Sequence, residues 1–549
     1  MSRLFEQLVR QRGFSVDYIK PRYEALPDPF LLPEMRRAVE RVKLAKERGE
    51  KVMIYGDYDV DGVTASTLMK EVLTQAGVRE VEVMLPDRFR DGYGMSKKVV
   101  QRAKEAGVGL ILTVDCGSAN KEIIGELEEA GVDVVVTDHH ECPEELPKAV
   151  AVVNPKRRDA YKLVPDFEKY AEELLELRDL AGVGVAFMMA RALVMEGLIK
   201  EGQEKWLLDL VLIGTICDSM KMTKTNRILC FYGVKVLGKT RRVGIKELFR
   251  TTGTNKITAE TIGFQVGPRL NAAGRMASAE KALRLLMATS RSEAAQLAGE
   301  LEKLNEERRA QQNAAMEEFR ERGVVKEPVL VATGDWHEGV LGIIAGKLVE
   351  EYKRPAFVLM KKDGIYKGSG RRCGEFNLSV ALKYCQGEIV GGGGHAGAAG
   401  VKVEEGKLEN FKQKINEFYR SLGLRDQERF FDVMADLEVR GVGELSLDFM
   451  EELKTLEPFG VGNEIPVFKL RDMFVVDLKT MGAEGQHVRM LVRGDDKRMM
   501  KLVAFNAPER WRKFEQGREA NLLINLEENE WNGLRSVEGR ILDLRGCEV

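Results

Sequence analysis

The sequence predicts an α/β protein whose first large unit is a doubly wound parallel sheet. Short β-branched apolar runs recur at VMIYG (52–56), VEVML (81–85), LILTV (110–114), VDVVV (132–136) and AVAVV (149–153). Helical stretches such as TASTLMKEVLTQAG and KEIIGELEEAG alternate with them. Uninterrupted apolar strands suit a sheet covered on both faces, and strand–helix alternation suits parallel pairing. Acidic clusters also stand where these strands stop, at GDYDVDG (56–62), TVDCG (113–117) and TDHH (137–140). Open parallel sheets gather ligands at the carboxyl ends of their strands, so groups far apart in sequence can converge there.

A chain of 549 residues is too long for one core and divides into several domains. Residues 1–50 read as a helical segment. The sheet domain spans 51–287, its later part mainly helical and carrying GTICD and GPRLNAAGRM. Residues 288–323 are rich in helix formers. Leu297, Leu301 and Leu304 form a stripe that gives way to Arg308 and Gln311, the pattern of a helix bridging two lobes through solvent. A charged helix packed on one lobe is the alternative. A smaller α/β lobe follows at 324–425, starting with PVLVAT and containing WHEG, GSGRR and GGGGHAGAAG. Strand-like segments spaced for a small barrel of the OB type fill 426–549.

Bulk properties narrow the function classes. Lys and Arg total 85 against 87 Asp and Glu, a net charge of −2, so a nucleic-acid site has to be a local patch. Seven cysteines without CxxC spacing argue against a disulfide framework and a structural zinc site, and fit a reducing cytoplasm. The start MSRLFEQLVRQRG has no apolar signal core, and the longest apolar run, near Ala181 to Val194, is short and contains Arg191. A cytoplasmic protein without a membrane segment is expected.

Asp57, Asp59 and Asp61 alternate in the loop after the first strand. Together with Asp115, His139 and Asp218 in similar contexts they make a carboxylate-rich set with one imidazole, suited to Mn²⁺ or Mg²⁺ rather than zinc. A shared carboxylate such as Asp115 could bridge two ions of a phosphoryl-transfer site. His140 is a candidate donor to a phosphate oxygen. Arg269, Asn271 and Arg275 lie among small residues that allow close approach, and their forks suit phosphate. Arg88 in PDRFRDGYG is a further phosphate candidate. The segment GVKVLGKT (233–240) matches the P-loop expression, but its apolar interior contradicts a phosphate-cradling loop, so no ATP requirement is expected.

In order along the chain stand YGDYDVDGVTAST, TVDCG, TDHH, GTICD, RLNAAGRM, GSGRR, GGGGHAGAAG and EPFGVGN. On these motifs, from about Lys51 to about Phe468, the sequence resembles the RecJ family of single-strand-specific DNA exonucleases in the DHH phosphoesterase superfamily. The resemblance implies a DHH domain joined by a long helix to a DHHA1 substrate lobe. It places metal ligands at Asp59, Asp61, Asp115, His139 and Asp218, with Asp57 an additional acid. Ser369, Arg371, Gly393, Gly394 and His395 would hold the DNA backbone. The implied activity is 5′-to-3′ digestion of single-stranded DNA to mononucleotides in recombination and repair, with single-strand binding protein and a helicase as partners.

Three positions depart from the pattern. Tyr55 replaces a histidine common in the superfamily, which implies one weaker metal site. SMKMTKTNR (219–227) and Arg372 leave cleft shape open. Phe459, Phe468 and Trp531 could stack on bases, with core packing as the alternative. Competing readings are a hydrolase of short oligonucleotides or cyclic dinucleotides, and a non-catalytic strand-binding scaffold; the long C-terminal module disfavours the first, the full acid set the second.

Overall fold

The structure is a computed structural model and describes residues 1–549 except 93, 165, 324–325, 425–433 and 548–549. The expected boundaries at 324 and 425–426 fall outside the described residues. Helices α1 (Arg3–Gln11) and α2 (Met35–Arg48) precede β1 (Lys51–Gly56), α3 (Val60–Ala76), β2 (Val81–Met84), α4 (Lys97–Ala106), β3 (Val108–Val114), α5 (Lys121–Glu129), β4 (Asp133–Thr137) and β5 (Ala151–Val153). The strands are all parallel in the order β2-β1-β3-β4-β5. Alternate residues serve the two faces. Val52, Ile54, Leu110 and Leu112 pack beneath α2, α3 and α6 (Gly182–Met195), while Met53, Tyr55, Ile111 and Val136 pack against α4 and α5. After β1 the chain crosses to β2 on one side and then to β3 on the other. That reversal opens a crevice beyond the carboxyl ends of β1 and β3.

Helices α7 (Leu208–Cys217), α8 (Lys224–Leu237) and α9 (Gly267–Met276) complete the first lobe. The P-loop-like segment is the end of α8: Gly233–Leu237 is its last turn, and Thr240 Oγ1 donates to buried Asp209 Oδ2 at 2.6 Å. A phosphate cradle needs helix N-terminal amides, and this segment presents the opposite end.

Helix α10 (Arg291–Glu321) connects the lobes. Its first half buries Leu297, Ala298 and Leu301 in the core of the first lobe, and its last turns bury Ala315, Met316 and Phe319 in the second. It therefore packs on both lobes and leaves only its middle charged and largely exposed. The second lobe is a mixed sheet of β6 (Leu330–Thr333), β7 (Ala356–Lys362), β8 (Ile365–Arg371), β9 (Gly391–Gly394) and β10 (Ala398–Glu404), in the order β6-β7-β8-β10-β9. Helices α11 (Leu341–Tyr352) and α12 (Leu408–Ser421) cover its two faces.

The C-terminal module contains β11 (Leu437–Val439), α13 (Leu447–Lys454), β12 (Phe468–Met481), β13 (His487–Arg493), β14 (Met499–Ala504), β15 (Glu519–Trp531) and β16 (Leu534–Gly546). Pairing of β12 with β15 closes the order β12-β13-β14-β16-β15 into a barrel. Phe468 lies in this core, 0% exposed, so it packs and cannot stack on a base; Phe459 is half-buried against the same core. Trp531 is 74% exposed at the tip of the β15–β16 hairpin.

Residues 1–50 do not form one unit. Helix α1 supplies Leu4, Phe5 and Leu8 to the barrel core, and Arg12 makes a two-point ion pair with Asp436 at 2.6 and 2.8 Å, whereas α2 covers the parallel sheet. No helix among the described residues is long and apolar enough to cross a membrane. Because Leu8 is fully buried in the C-terminal module, Leu8→Ala is expected to cost about 2–5 kcal/mol there. Hydrogen exchange measured by mass spectrometry checks it: amides of 437–546 should exchange faster, and those of β1, β3 and β4 should not.

Candidate metal centre and phosphate cleft

The site begins where β1 stops. Asp59 caps α3, its Oδ1 accepting from Gly62 N at 3.1 Å, which turns the chain sharply enough to bring Asp57, Asp59 and Asp61 over the strand ends. Asp61, 1% exposed, accepts from Gly182 N at 2.6 Å and Val183 N at 2.9 Å, the opening amides of α6. A helix N-terminus thus fixes this carboxylate. Asp115 follows β3 at φ 61°, a region a non-glycine residue adopts only when its surroundings impose it. Glycine is required at 182, because a Cβ there would lie 2.5 Å from Asp115 Cβ and 2.7 Å from its Oδ1.

His139 and His140 follow β4. Nε2 of His139 faces Asp115 Oδ1 at 3.0 Å, Asp218 Oδ2 at 3.6 Å and Asp61 Oδ2 at 3.7 Å. Asp218, at the end of α7, brings the last acid. Ligand atoms of Asp61, His139 and Asp218 lie within 4.8 Å of one another, as do those of Asp57, Asp59 and Asp115, and those of Asp115, His139 and His140. Asp115 is common to the last two groups. Asp57 Oδ1, Asp115 Oδ1 and Nε2 of His139 are buried without a hydrogen-bond partner. Buried polar atoms are nearly always satisfied, so these converging orphans fit a cation as the missing partner.

Electrostatics point the same way. Burial, then repulsion from Asp59, pushes Asp57 up to about 8 and Asp61 up to about 7. Burial, then Asp61, raises Asp218 to about 8, and the same two causes hold Asp115 well above the usual range. Burial lowers His139 to about 3, leaving a neutral imidazole with a lone pair to offer. His140 behaves oppositely. Burial would lower it, but its 2.8 Å contact with Asp138 Oδ1 and the surrounding carboxylates raise it to about 9.

Asp138 was not singled out among the site residues, although it is the first letter of the DHH triplet. Its Oδ1 accepts from the main-chain amides of His139 at 2.7 Å and His140 at 3.2 Å, and its Oδ2 from Ser118 N at 3.0 Å. Burial would raise its carboxyl, but the hydrogen bond and charge of the His140 ring hold it well below the ordinary range, and the amide bonds orient both histidines. Asn154 Nδ2 adds a bond to the His140 carbonyl at 2.9 Å.

A cavity of about 290 Å³ opens over the acids and is also lined by Tyr58, Arg88, His140, Asn271 and Arg275. Burial, and then repulsion from Arg88 and Arg371, lowers Arg275 to about 10. Among the described residues none of these three guanidiniums has a carboxylate partner, so together they make an unneutralised cationic wall. Arg371 reaches toward it from the end of β8, held by its Nη1 bond to Gly370 O at 2.9 Å. Ser369 on β8, Gly393 and Gly394 on β9, and His395 after it belong to the second lobe and do not line the cavity.

Arg269 is not brought to the cleft. Its guanidinium is taken by Glu302 of α10 at 2.5 and 2.9 Å and by Gln265 O at 2.8 Å, so it braces the connecting helix. Arg308 of the same helix, read in the sequence only as a break in the apolar stripe, lines an adjoining cavity with Asn271 and Arg275. Tyr55 also points elsewhere. It is buried against α4, its hydroxyl donating to Gly94 O at 3.1 Å, so it does not stand in for an imidazole ligand. Within residues 219–227, Met222 and Arg227 bond to the C-terminal module, Met222 N donating to Val461 O at 2.6 Å, while Lys221, Lys224 and Thr225 pair with Asp179, Glu172 and Glu176 of the first lobe.

Models of the DHH family N-terminal domain, the DHHA1 domain and the RecJ OB domain match residues 51–215, 326–421 and 435–543. The single-stranded-DNA-specific exonuclease RecJ of Bacillus subtilis is 35% identical over 99% of this chain and 69% of its own length. The chain belongs to the RecJ family. The crystal structure of Thermus thermophilus RecJ in complex with Mn²⁺ matches with a TM-score of 0.84 and 29% identity over 99% of this chain and 76% of that one. The Mg²⁺ complex matches at 0.78 and 27% identity, over 99% of this chain and 75% of that one. Both RecJ ions are hard cations, and Mn²⁺ or Mg²⁺ fits the oxygen-rich donors at the strand ends of this chain.

Metal loading should depend steeply on pH. Between the unfolded carboxyl value of about 4 and the raised values of about 7 to 8, the metal-free fold binds more protons than the unfolded chain. These acids therefore favour the metal-free fold at low pH, and that contribution is lost as pH rises through 7 to 8. Metal binding requires the same groups deprotonated. The Mn²⁺-induced rise in melting temperature is expected to grow from about pH 6 to about pH 8.5. Scanning fluorimetry at fixed Mn²⁺ checks this, and an increment that is flat with pH would contradict it.

Proposed function

We propose that this chain is a metal-dependent exonuclease that removes mononucleotides from the 5′ end of single-stranded DNA. The observation that carries the reading is the juxtaposition of six convergent metal-type ligands with a cavity over them whose wall carries Arg88 and Arg275. Membership of the RecJ family supports the class of reaction and the single-stranded substrate. A cleft bounded by two lobes joined through α10 suits one threaded strand, which favours processive digestion.

Asp57, Asp59, Asp61, Asp115, His139 and Asp218 would hold two ions, with Asp115 between them. Such a pair supplies Lewis acidity and an acidified water for in-line displacement at phosphorus. Asp138 keeps His140 charged and aimed into the cavity, where it donates to a non-bridging phosphate oxygen. Arg88, Arg275 and Arg371 offset the charge that builds on the phosphate and hold the terminal nucleotide in line. Asn271, one turn before Arg275 on α9, presents its amide to the same strand. Ser369, Gly393, Gly394 and His395 would guide the backbone farther along the second lobe. Recruitment by single-strand binding protein and by a helicase in repair, and residence in the cytoplasm, complete the reading.

Digestion of single-stranded DNA labelled separately at each end, with Mn²⁺ and beside a duplex control, tests it. The 5′ label should leave first, as a mononucleotide, with the duplex spared. Asp115→Ala should lower kcat by at least about 10³-fold, and Arg371→Ala should act mainly through KM, by about ten-fold or more. Hydrolysis confined to two- to five-nucleotide pieces, or tight binding without cleavage, would contradict the reading.

A further inference from the structure

The loop EPFGVGN (457–463) belongs by sequence to the C-terminal module, yet it lies against the first lobe. Arg227, in the first turn of α8, is 1% exposed. Its Nη1 donates to the carbonyls of Leu456 at 2.9 Å and Glu457 at 3.1 Å, its Nη2 to Thr455 O at 3.0 Å, and its Nε to Tyr18 O at 2.7 Å. All four acceptors are main-chain carbonyls, from two chain segments remote in sequence. A guanidinium buried in this way fixes backbone positions rather than balancing a charge. Asn463 braces the same loop from within, its Nδ2 donating to Leu456 O and Pro458 O, both at 2.9 Å.

The loop then makes a main-chain bond to the segment that carries Asp218. Met222 N donates to Val461 O at 2.6 Å, four residues beyond the acid. Between them Ser219 has φ 57°, and Met220 N is tied back to Thr215 O at 3.2 Å. Asn226 Nδ2 holds Lys221 O at 3.0 Å from the other side. The turn is thus pinned at both ends. Asp218 needs this more than Asp61 does. Asp61 is fixed by two amides, whereas Asp218 accepts no hydrogen bond from an amide or side chain among the described residues, and its side chain is 29% exposed. Its place in the centre is set by its backbone.

We propose that Arg227 is a positioning residue: by locking residues 455–463 onto the 219–223 turn, it holds the Asp218 carboxylate in the metal centre. The C-terminal module thereby tunes metal affinity although none of its residues lines the cavity. This rests on the reading of Asp218 as a metal ligand.

Titration of the metal-free, full-length protein with Mn²⁺, with free ion followed by electron paramagnetic resonance, separates the two claims. Wild type, Asp218→Asn, Arg227→Lys and Asn463→Ala are compared at a temperature where circular dichroism shows each one folded. Arg227→Lys keeps the charge but cannot reach all the carbonyls, and Asn463→Ala loosens the loop without touching the first lobe. Each is expected to weaken Mn²⁺ binding at one site about ten-fold, the usual size of an outer-shell effect. Adding Arg227→Lys to Asp218→Asn should weaken it no further. Lower melting temperatures with unchanged Mn²⁺ affinity would overturn the positioning role. Wild-type Mn²⁺ binding by Asp218→Asn would instead overturn the ligand assignment beneath it.

Discussion

The structure depends on one electrostatic constraint: carboxylates crowded at the strand ends of β1 and β3, beside which the cation His140 is already held by Asp138 at 2.8 Å. Asp61 and Asp115 are each 1% exposed and Asp57 is 4% exposed. At such depth like charges repel strongly and are poorly screened, so without metal the cluster holds protons that carboxyls ordinarily release. The fold tolerates this through rigid local devices. Asp59 caps a helix, Asp61 takes two amides from another, Asp115 is held in a left-handed conformation, and Asp138 orients two histidines through their own amides. Each device spends backbone geometry on placing a side chain.

The first and second lobes together answer a different need, that of bringing positive charge to the cavity without neutralising the acids. Arg88, Arg275 and Arg371 come from a loop of the sheet domain, from α9 and from β8, and they repel one another across the cleft. Such separation keeps the cations from pairing with the acids while leaving them available to a phosphate. Helix α10 fixes the spacing because its two ends are buried in different cores. The Arg269–Glu302 pair is part of that brace.

Much of this was legible in the sequence, for physical reasons. The five strands announce themselves because a sheet covered on both faces leaves no polar alternation to blur the runs. The strand-end acids follow from the same pattern, since the carboxyl ends of parallel strands share one edge. Asn271 and Arg275 are four residues apart and must share a helix face. Arg269, six residues before Arg275, is turned by about 240° and finds its partner 33 residues away on α10, which no local pattern reveals. The packing of α1 into the barrel was hidden likewise, because an amphipathic helix declares a buried face but not what buries it. Phe468 read as a stacking candidate only because strand position alone does not tell core from surface in a barrel. The 219–227 segment looked like a departure in the cleft; through Met222 and Arg227 it bonds to the C-terminal module.

The account stands on the claim that this acid cluster is a two-ion site bridged by Asp115. Crystals of the full-length protein grown with Mn²⁺, measured at the manganese absorption edge, test it most directly. Two anomalous peaks are expected, one among Asp57, Asp59 and Asp115 and one among Asp61, Asp115, His139 and Asp218, with Asp115 contacting both. An empty cluster at saturating Mn²⁺, or peaks only elsewhere on the surface, would contradict it.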